Sequence, residues 1–162
     1  MPAELRRVLL VEDDPDIQAV ALIALEDVGG LTVLACGSGR EALEAAPDFR
    51  ADVVLLDVMM PGMSGPDTLR ALRERPETRE VPVVFMTARV QRHEVDEYLT
   101  MGAIGVIPKP FEPMSLADEL RSLLEADVEA REERDFQAQL SALRGQFEQG
   151  LGDRLARLRG AW

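Results

Sequence analysis

Five acidic or polar residues and one lysine stand at the ends of short apolar runs. Glu12, Asp13 and Asp14 follow Val8–Val11, Asp57 follows Val53–Leu56, Thr87 follows Val81–Met86, and Lys109 follows Ile104–Ile107. Carboxylates gathered in one place repel each other unless they share a proton or a cation. Oxygen-only ligands suit Mg²⁺, which keeps several waters and takes one or two carboxylates plus a phosphate oxygen. The set therefore fits phosphate chemistry, with Asp13 and Asp57 on Mg²⁺ and with Lys109 and Thr87 on phosphoryl oxygens. Asp57 is the natural nucleophile, because a carboxylate can form an acyl phosphate. Lys109 is the only lysine among 18 basic residues. A compact ammonium serves there where the planar fork of arginine would not.

Each residue alone has a plainer reading. An aspartate after a buried strand is commonly a turn former or helix cap, and a threonine there is a strand-end hydroxyl. Joint placement changes the balance. Separate strand ends each supply the residue type that the chemistry requires.

The elements that must bring these residues together are legible in the pattern. Five apolar runs, Val8–Val11, Thr32–Cys36, Val53–Leu56, Val81–Met86 and Ile104–Ile107, are rich in β-branched residues and mostly lack inside–outside alternation. That pattern predicts strands covered on both faces. Helical period marks Pro15–Val28, Arg40–Ala46, Pro66–Arg75 and Gln91–Met101, and a fifth helix starts near Ser115. Asp14-Pro15 gives an N-cap followed by proline at the first helical position. Ser38 with Glu41 has capping-box spacing, and Ser115 with Asp118 is a weaker version. Five βα units predict one doubly wound five-stranded parallel sheet, flavodoxin-like, in strand order 2-1-3-4-5. Ligands bind beyond the carboxyl ends of such strands, where the polar residues stand.

Composition narrows the function further. The 162 residues are 46% hydrophobic but only 4% aromatic, so the core must be aliphatic. A net charge of -12 repels phosphate and anionic lipid, which argues against direct nucleic-acid binding. No apolar run reaches the roughly 18 residues of a membrane span, which predicts no membrane insertion and a cytoplasmic setting. The single cysteine, Cys36, reads as a small core hydrophobe, and the single histidine, His93, as a solvated surface residue.

The stretches Val8-Leu9-Leu10-Val11-Glu12-Asp13-Asp14-Pro15, Leu55-Leu56-Asp57-Val58-Met59-Met60-Pro61-Gly62-Met63-Ser64-Gly65, Phe85-Met86-Thr87-Ala88 and Lys109-Pro110-Phe111 closely resemble the CheY-like receiver domain of bacterial two-component response regulators. The resemblance covers residues 5 to 125, with all motifs in order. It implies that Asp57 accepts a phosphoryl group from a sensor histidine kinase or a phosphotransfer protein. It implies Mg²⁺ on Asp13, Asp57 and the backbone carbonyl of Met59, with Glu12 acting through water. Thr87 would turn toward the phosphoryl group, and Lys109 would pair with it across a cis peptide bond to Pro110. Self-catalysed phosphorylation and slow dephosphorylation would make the protein a switch more than a turnover enzyme. One departure is Val106, where many members carry Tyr or Phe; a branched aliphatic side chain cannot swing as a ring does.

Two domains are expected: a receiver at 1-125 and an amphipathic helical tail at 126-162. In the tail Phe136, Leu140, Leu143, Phe147, Leu151, Leu155 and Leu158 recur at steps of three or four, against which Gly145, Gly150 and Gly152 act. The stripe would pack on the receiver, form a homodimer, or dock another protein. The expected whole is a stand-alone regulator that signals to a downstream protein through changed protein–protein contacts. Two rivals are a receiver-like scaffold that works without phosphorylation and an aspartate-nucleophile phosphohydrolase. The second is disfavoured because Met59 occupies the position of that enzyme class's general acid/base.

Overall fold

A computed structural model of the chain describes residues 4–160, with side chains described through residue 150. Packing divides the chain into two units, Met1–Glu125 and Ala126–Trp162. The first is a five-stranded parallel sheet with helices on both faces. Its strands are β1 (Arg7–Val11), β2 (Thr32–Cys36), β3 (Val53–Asp57), β4 (Val83–Thr87) and β5 (Gly105–Pro108). They lie in the order β2-β1-β3-β4-β5. This is the expected doubly wound topology, with its reversal between β1 and β3.

Alternate side chains of each strand feed opposite faces, so the sheet carries two aliphatic cores. Val8, Leu10, Val53, Leu55, Val84, Met86 and Ile107 form one with Ala21, Ala24, Leu25, Leu116 and Leu120. Leu9, Val11, Val54, Leu56, Val83 and Phe85 form the other with Ala42, Leu43, Leu69, Leu72 and Tyr98. β3 and β4 are buried throughout. β2 departs from the expected coverage, because it is an edge strand with an exposed Thr32 and three half-buried residues. β4 begins at Val83 instead of Val81. Pro82 has no N–H to donate to a ladder, and its carbonyl instead accepts from Val54 at 2.9 Å.

Helix α1 (Pro15–Leu22) passes directly into a π-helical segment, Ile23–Val28. The Asp14 side chain caps α1 by accepting from the N–H groups of Asp16 and Ile17. At α2 (Gly39–Phe49) the Ser38 hydroxyl accepts from Glu41 N at 3.1 Å, but the Glu41 carboxylate takes the N–H of Gly37, not that of Ser38. Half of the expected box forms. Helices α3 (Gly65–Glu74) and α4 (Arg92–Thr100) follow their strands as expected. The weaker box at Ser115 does not form. The Ser115 hydroxyl turns back to the Glu112 carbonyl at 3.4 Å, and Glu112 Oε1 accepts from Met114 N at 3.3 Å. The Asp118 carboxylate pairs with Arg121 instead.

Helix α5 spans Leu116–Gly160, so the tail continues the fifth helix and no glycine interrupts it. Within the tail Phe136, Leu140, Leu143 and Phe147 are exposed. Leu151, Leu155 and Leu158 lie outside the described side chains. No helix among the described residues is long and apolar enough to cross a membrane.

Candidate functional site

The carboxyl ends of β1, β3, β4 and β5 meet on one rim. Backbone hydrogen bonds set their spacing: Glu12 N donates to Cys36 O at 3.0 Å, Val58 N to Met86 O at 3.1 Å, and Lys109 N to Thr87 O at 2.9 Å. The Gln18 side chain ties the β1 and β2 ends together, donating to the carbonyls of Glu12 at 3.0 Å and Cys36 at 3.2 Å. The side chains of Glu12, Asp13 and Asp57 converge there, each offering an oxygen within 4.8 Å of the others. Lys109 reaches in from β5. Its ammonium lies 2.8 Å from Glu12 Oε2 and 3.0 Å from Asp57 Oδ1.

Burial makes this cluster electrostatically tense. Glu12 is 1% and Asp57 4% exposed, whereas Asp13 is exposed. Three carboxyl groups face one ammonium, so full ionisation leaves excess negative charge with little water to screen it. Desolvation raises the Asp57 pKa above its ordinary 3.8; Lys109 and the Met59 N–H pull the other way, and Asp13 adds to the rise. Glu12 is likewise raised from 4.5, chiefly by burial. For Lys109 burial acts to lower the pKa, yet its contacts with Glu12 and Asp57 outweigh it, and the net direction is upward. Glu12 Oε2, buried with the rest of its side chain, stands 2.8 Å from Lys109 Nζ.

The remaining predicted residues border the cluster. Met59 is anchored to it by its N–H, which donates to Asp57 Oδ1 at 3.4 Å, while its side chain is 64% exposed. Thr87 is buried at the end of β4, and its hydroxyl accepts from Arg89 N at 3.0 Å. The Lys109–Pro110 peptide is cis, as the resemblance implied. A cleft of about 610 Å³, lined in part by Asp13, Met59, Arg89 and Tyr98, opens beside the cluster.

Gly65 explains how α3 starts so close to the acceptor. A Cβ there would lie 2.5 Å from the Asp57 carbonyl oxygen and 2.8 Å from Val58 Cα. Both are backbone atoms and cannot swing aside. Gly65→Ala is expected to lose about 1–3 kcal/mol, read as a lowered urea midpoint with an unchanged slope.

The chain matches the response regulator receiver domain over residues 8–121.

The chain belongs to the receiver family.

Among curated relatives it is 39% identical over 119 residues to the DNA-binding response regulator MtrA of Mycolicibacterium smegmatis, covering 74% of this chain and 50% of that protein. Identity to the transcriptional regulatory protein CpxR of Escherichia coli is 37% over 120 residues, with 74% and 50% covered. The chain thus spans about half the length of these relatives. Chemotaxis protein CheY4 of Vibrio cholerae superposes with a TM-score of 0.68 at 32% identity, over 74% of this chain and 99% of that one. The receiver domain of the sensor histidine kinase PA1611 from Pseudomonas aeruginosa, with a magnesium ion coordinated in its active site cleft, gives 0.66 at 28% identity, over 75% and 98%. Receivers of this family are signalling switches of two-component phosphorelays, not turnover enzymes in the ordinary sense.

Two features of this receiver were not foreseen. The first is the buried Glu12–Lys109 contact, since sequence reasoning aimed the lysine only at phosphate. The second is Tyr98, the one buried residue of α4, whose ring packs on Phe85 at 5.3 Å between centroids. Val106, at the position where an aromatic was expected, is half-buried and packs in the same core. Tyr98 is the chain's only tyrosine, and that scarcity was the available signal. Elsewhere the expectations for lone residues hold: Cys36 is buried, with its thiol pushed up to about 11 by desolvation, and the His93 side chain is 74% exposed.

Proposed function

We propose that this receiver takes a phosphoryl group onto Asp57 from a sensor histidine kinase or phosphotransfer protein, with Mg²⁺ bound. The single observation that carries this reading is the buried Asp57 carboxylate held 3.0 Å from the Lys109 ammonium inside an acidic cluster. Lys109 and the Met59 N–H both engage Oδ1, so Oδ2 is the oxygen that would attack phosphorus. An oxygen–phosphorus bond forms as the donor's nitrogen–phosphorus bond breaks, and the electron pair leaves with that nitrogen. The added phosphoryl oxygens need positive charge, and Lys109 already stands at the acceptor to supply it. The buried Thr87 hydroxyl, now held by Arg89 N, would exchange that donor for a role as donor to a phosphoryl oxygen.

The donor set fits a hard cation. It is all oxygen, its charge exceeds what one ammonium cancels, and two of its three carboxyl groups are buried. Asp13, Asp57 and the Met59 carbonyl would hold Mg²⁺, and Glu12 would act through water. When bound, the ion supplies charge neutralisation at the transferring phosphoryl oxygens.

A ligand that binds only the folded state stabilises it. Mg²⁺ at ten times its Kd is expected to add about 1.4 kcal/mol, seen as a rise of a few degrees in Tm, and chelation should reverse it. Asp13→Ala should abolish the rise. An equal rise in that variant would remove Asp13 from the ligand set.

Output is proposed to run through altered protein–protein contacts with a downstream protein in the cytoplasm, with no direct nucleic-acid contact by residues 1–125. The helical tail supplies a second contact surface. The direct test is incubation with Mg²⁺ and acetyl phosphate or phosphoramidate, followed by intact mass and phosphate release. A switch gains one acid-stable, base-labile phosphoryl group. Release of phosphate over many turnovers would instead assign a hydrolase, and no change at all would assign a scaffold.

A further inference from the structure

The tail helix presents four large apolar side chains, Phe136, Leu140, Leu143 and Phe147, at exposures of 54, 36, 62 and 72%. Single exposed leucines are ordinary, but four such residues at steps of four, three and four make one continuous seam. Its order, Phe-Leu-Leu-Phe at steps of four, three and four, reads the same in both directions. A two-fold axis between positions 141 and 142 therefore sets Phe136 against the partner's Phe147 and Leu140 against the partner's Leu143. That is the self-complementarity an isologous interface requires.

Charge points to the same occupant. The chain carries a net charge of -12, so two copies repel wherever carboxylates meet. Residues 136–147 contain no Asp or Glu, and Arg144 is their only charge. The seam is thus the stretch of tail on which like-charge repulsion is least. Continuing the same steps backwards reaches Glu133 and Glu129. Parallel pairing would stack each of these glutamates on its own copy, which is destabilising. Antiparallel pairing brings Glu133 to position 150, a glycine, and Glu129 to position 154, an arginine in the sequence.

We propose that the tail is an antiparallel self-association seam whose occupant is a second copy of this chain. The inference gives the tail's proposed contact role a specific partner, and it does not depend on phosphoryl chemistry at Asp57.

Sedimentation equilibrium of the full chain across micromolar to submillimolar concentration tests it. The expected mass rises from 17.9 kDa toward twice that value. Leu140→Glu with Leu143→Glu should hold the chain at 17.9 kDa throughout, with the near-ultraviolet dichroism of the receiver unchanged. A wild-type chain that stays monomeric, or a double variant that still dimerises, overturns the seam. Asp57→Asn should dimerise like wild type, which separates failure of the seam from failure of the phosphoacceptor reading. Orientation is read by oxidising mixtures in a Cys36→Ser background. Phe136→Cys mixed with Phe147→Cys should give a heterodisulfide, whereas homodisulfides from either variant alone would overturn the antiparallel arrangement.

Discussion

Asp57→Asn is expected to eliminate phosphoryl incorporation from acetyl phosphate completely, while leaving the receiver folded and more stable at neutral pH. The first half follows from chemistry. An amide oxygen at this site is a far weaker nucleophile than the carboxylate, and of the cluster's carboxylates only Asp57 meets both Lys109 and the Met59 N–H. Glu12 is buried against Lys109, and Asp13 is exposed on the rim. The second half follows from the cluster's charge. The Asp57 pKa is raised in the folded state, mainly by desolvation, so folding favours the protonated form and stability falls as the pH rises through the raised value. Replacing that carboxylate with a neutral isostere relieves the excess negative charge, a gain on the order of 1 kcal/mol at neutral pH. The gain should vanish as the pH drops toward 3.8, the ordinary aspartate value, where wild-type Asp57 is itself protonated. Denaturant midpoints for both proteins across that range would show it. A variant that still takes up one phosphoryl group would remove Asp57 as acceptor, and a variant destabilised at neutral pH would contradict the electrostatic account.

Lys109→Met should produce the largest stability loss of any single change at the site. The ammonium is 16% exposed and lies within 3.0 Å of two carboxylates whose side chains are 1% and 6% exposed. Removing one member of a buried ion pair leaves the other charge uncompensated and costs about 3–5 kcal/mol. Here it strands two charges, although protonation and the open rim at Asp13 relieve part of that burden. A loss of about 3 kcal/mol at neutral pH is therefore expected. The pH dependence carries the diagnosis. With Lys109 gone, Glu12 and Asp57 lose the contact that held their pKa values down, so they rise further. The stability gap to wild type should then narrow as the pH falls toward 4.5 and 3.8, the ordinary carboxyl values. At the alkaline end the Lys109 contribution is present below 10.5 and lost as the pH rises through its raised pKa. A gap that stays constant with pH would mean that lost packing of the lysine stem, not lost charge, is responsible. Mg²⁺ should recover part of the loss at neutral pH, because a second cation can stand against the same carboxylates.

These two variants also separate acceptor from charge partner. Asp57→Asn removes the bond-forming oxygen and eases the cluster. Lys109→Met keeps the oxygen but leaves it in a strained environment, so phosphorylation should slow without the acceptor position changing. Peptide mapping of the phosphorylated variant would place the group on Asp57 in both wild type and Lys109→Met.

Much of this protein was legible along the chain, for local reasons. β-branched apolar runs between helical segments reveal strand and helix alternation, because each signal needs only a few adjacent residues. Asp14-Pro15 and Ser38 announce helix starts because caps are short-range hydrogen bonds. Crossover hand follows from general chirality and strand order from the doubly wound fold class, and together they put Asp13, Asp57, Thr87 and Lys109 on one rim. What tertiary structure alone decided concerns distances and water. That Lys109 lies 2.8 Å from Glu12 depends on how far β5 and β1 are carried by the strands between them. That Asp57 and Glu12 have raised pKa values depends on the helices and loops that exclude solvent, which no spacing encodes. The Ser115 capping box does not form because the Glu112 carbonyl takes the Ser115 N–H at 3.1 Å, and the Ser115 hydroxyl turns to the same oxygen. Tyr98 reached the cleft beside Asp13 because α4 lies across β4 and β5, placing one helical residue on Phe85. Local sequence sets which groups the chain carries and which element each belongs to. Only the packed fold sets which of them meet and how little water remains between them.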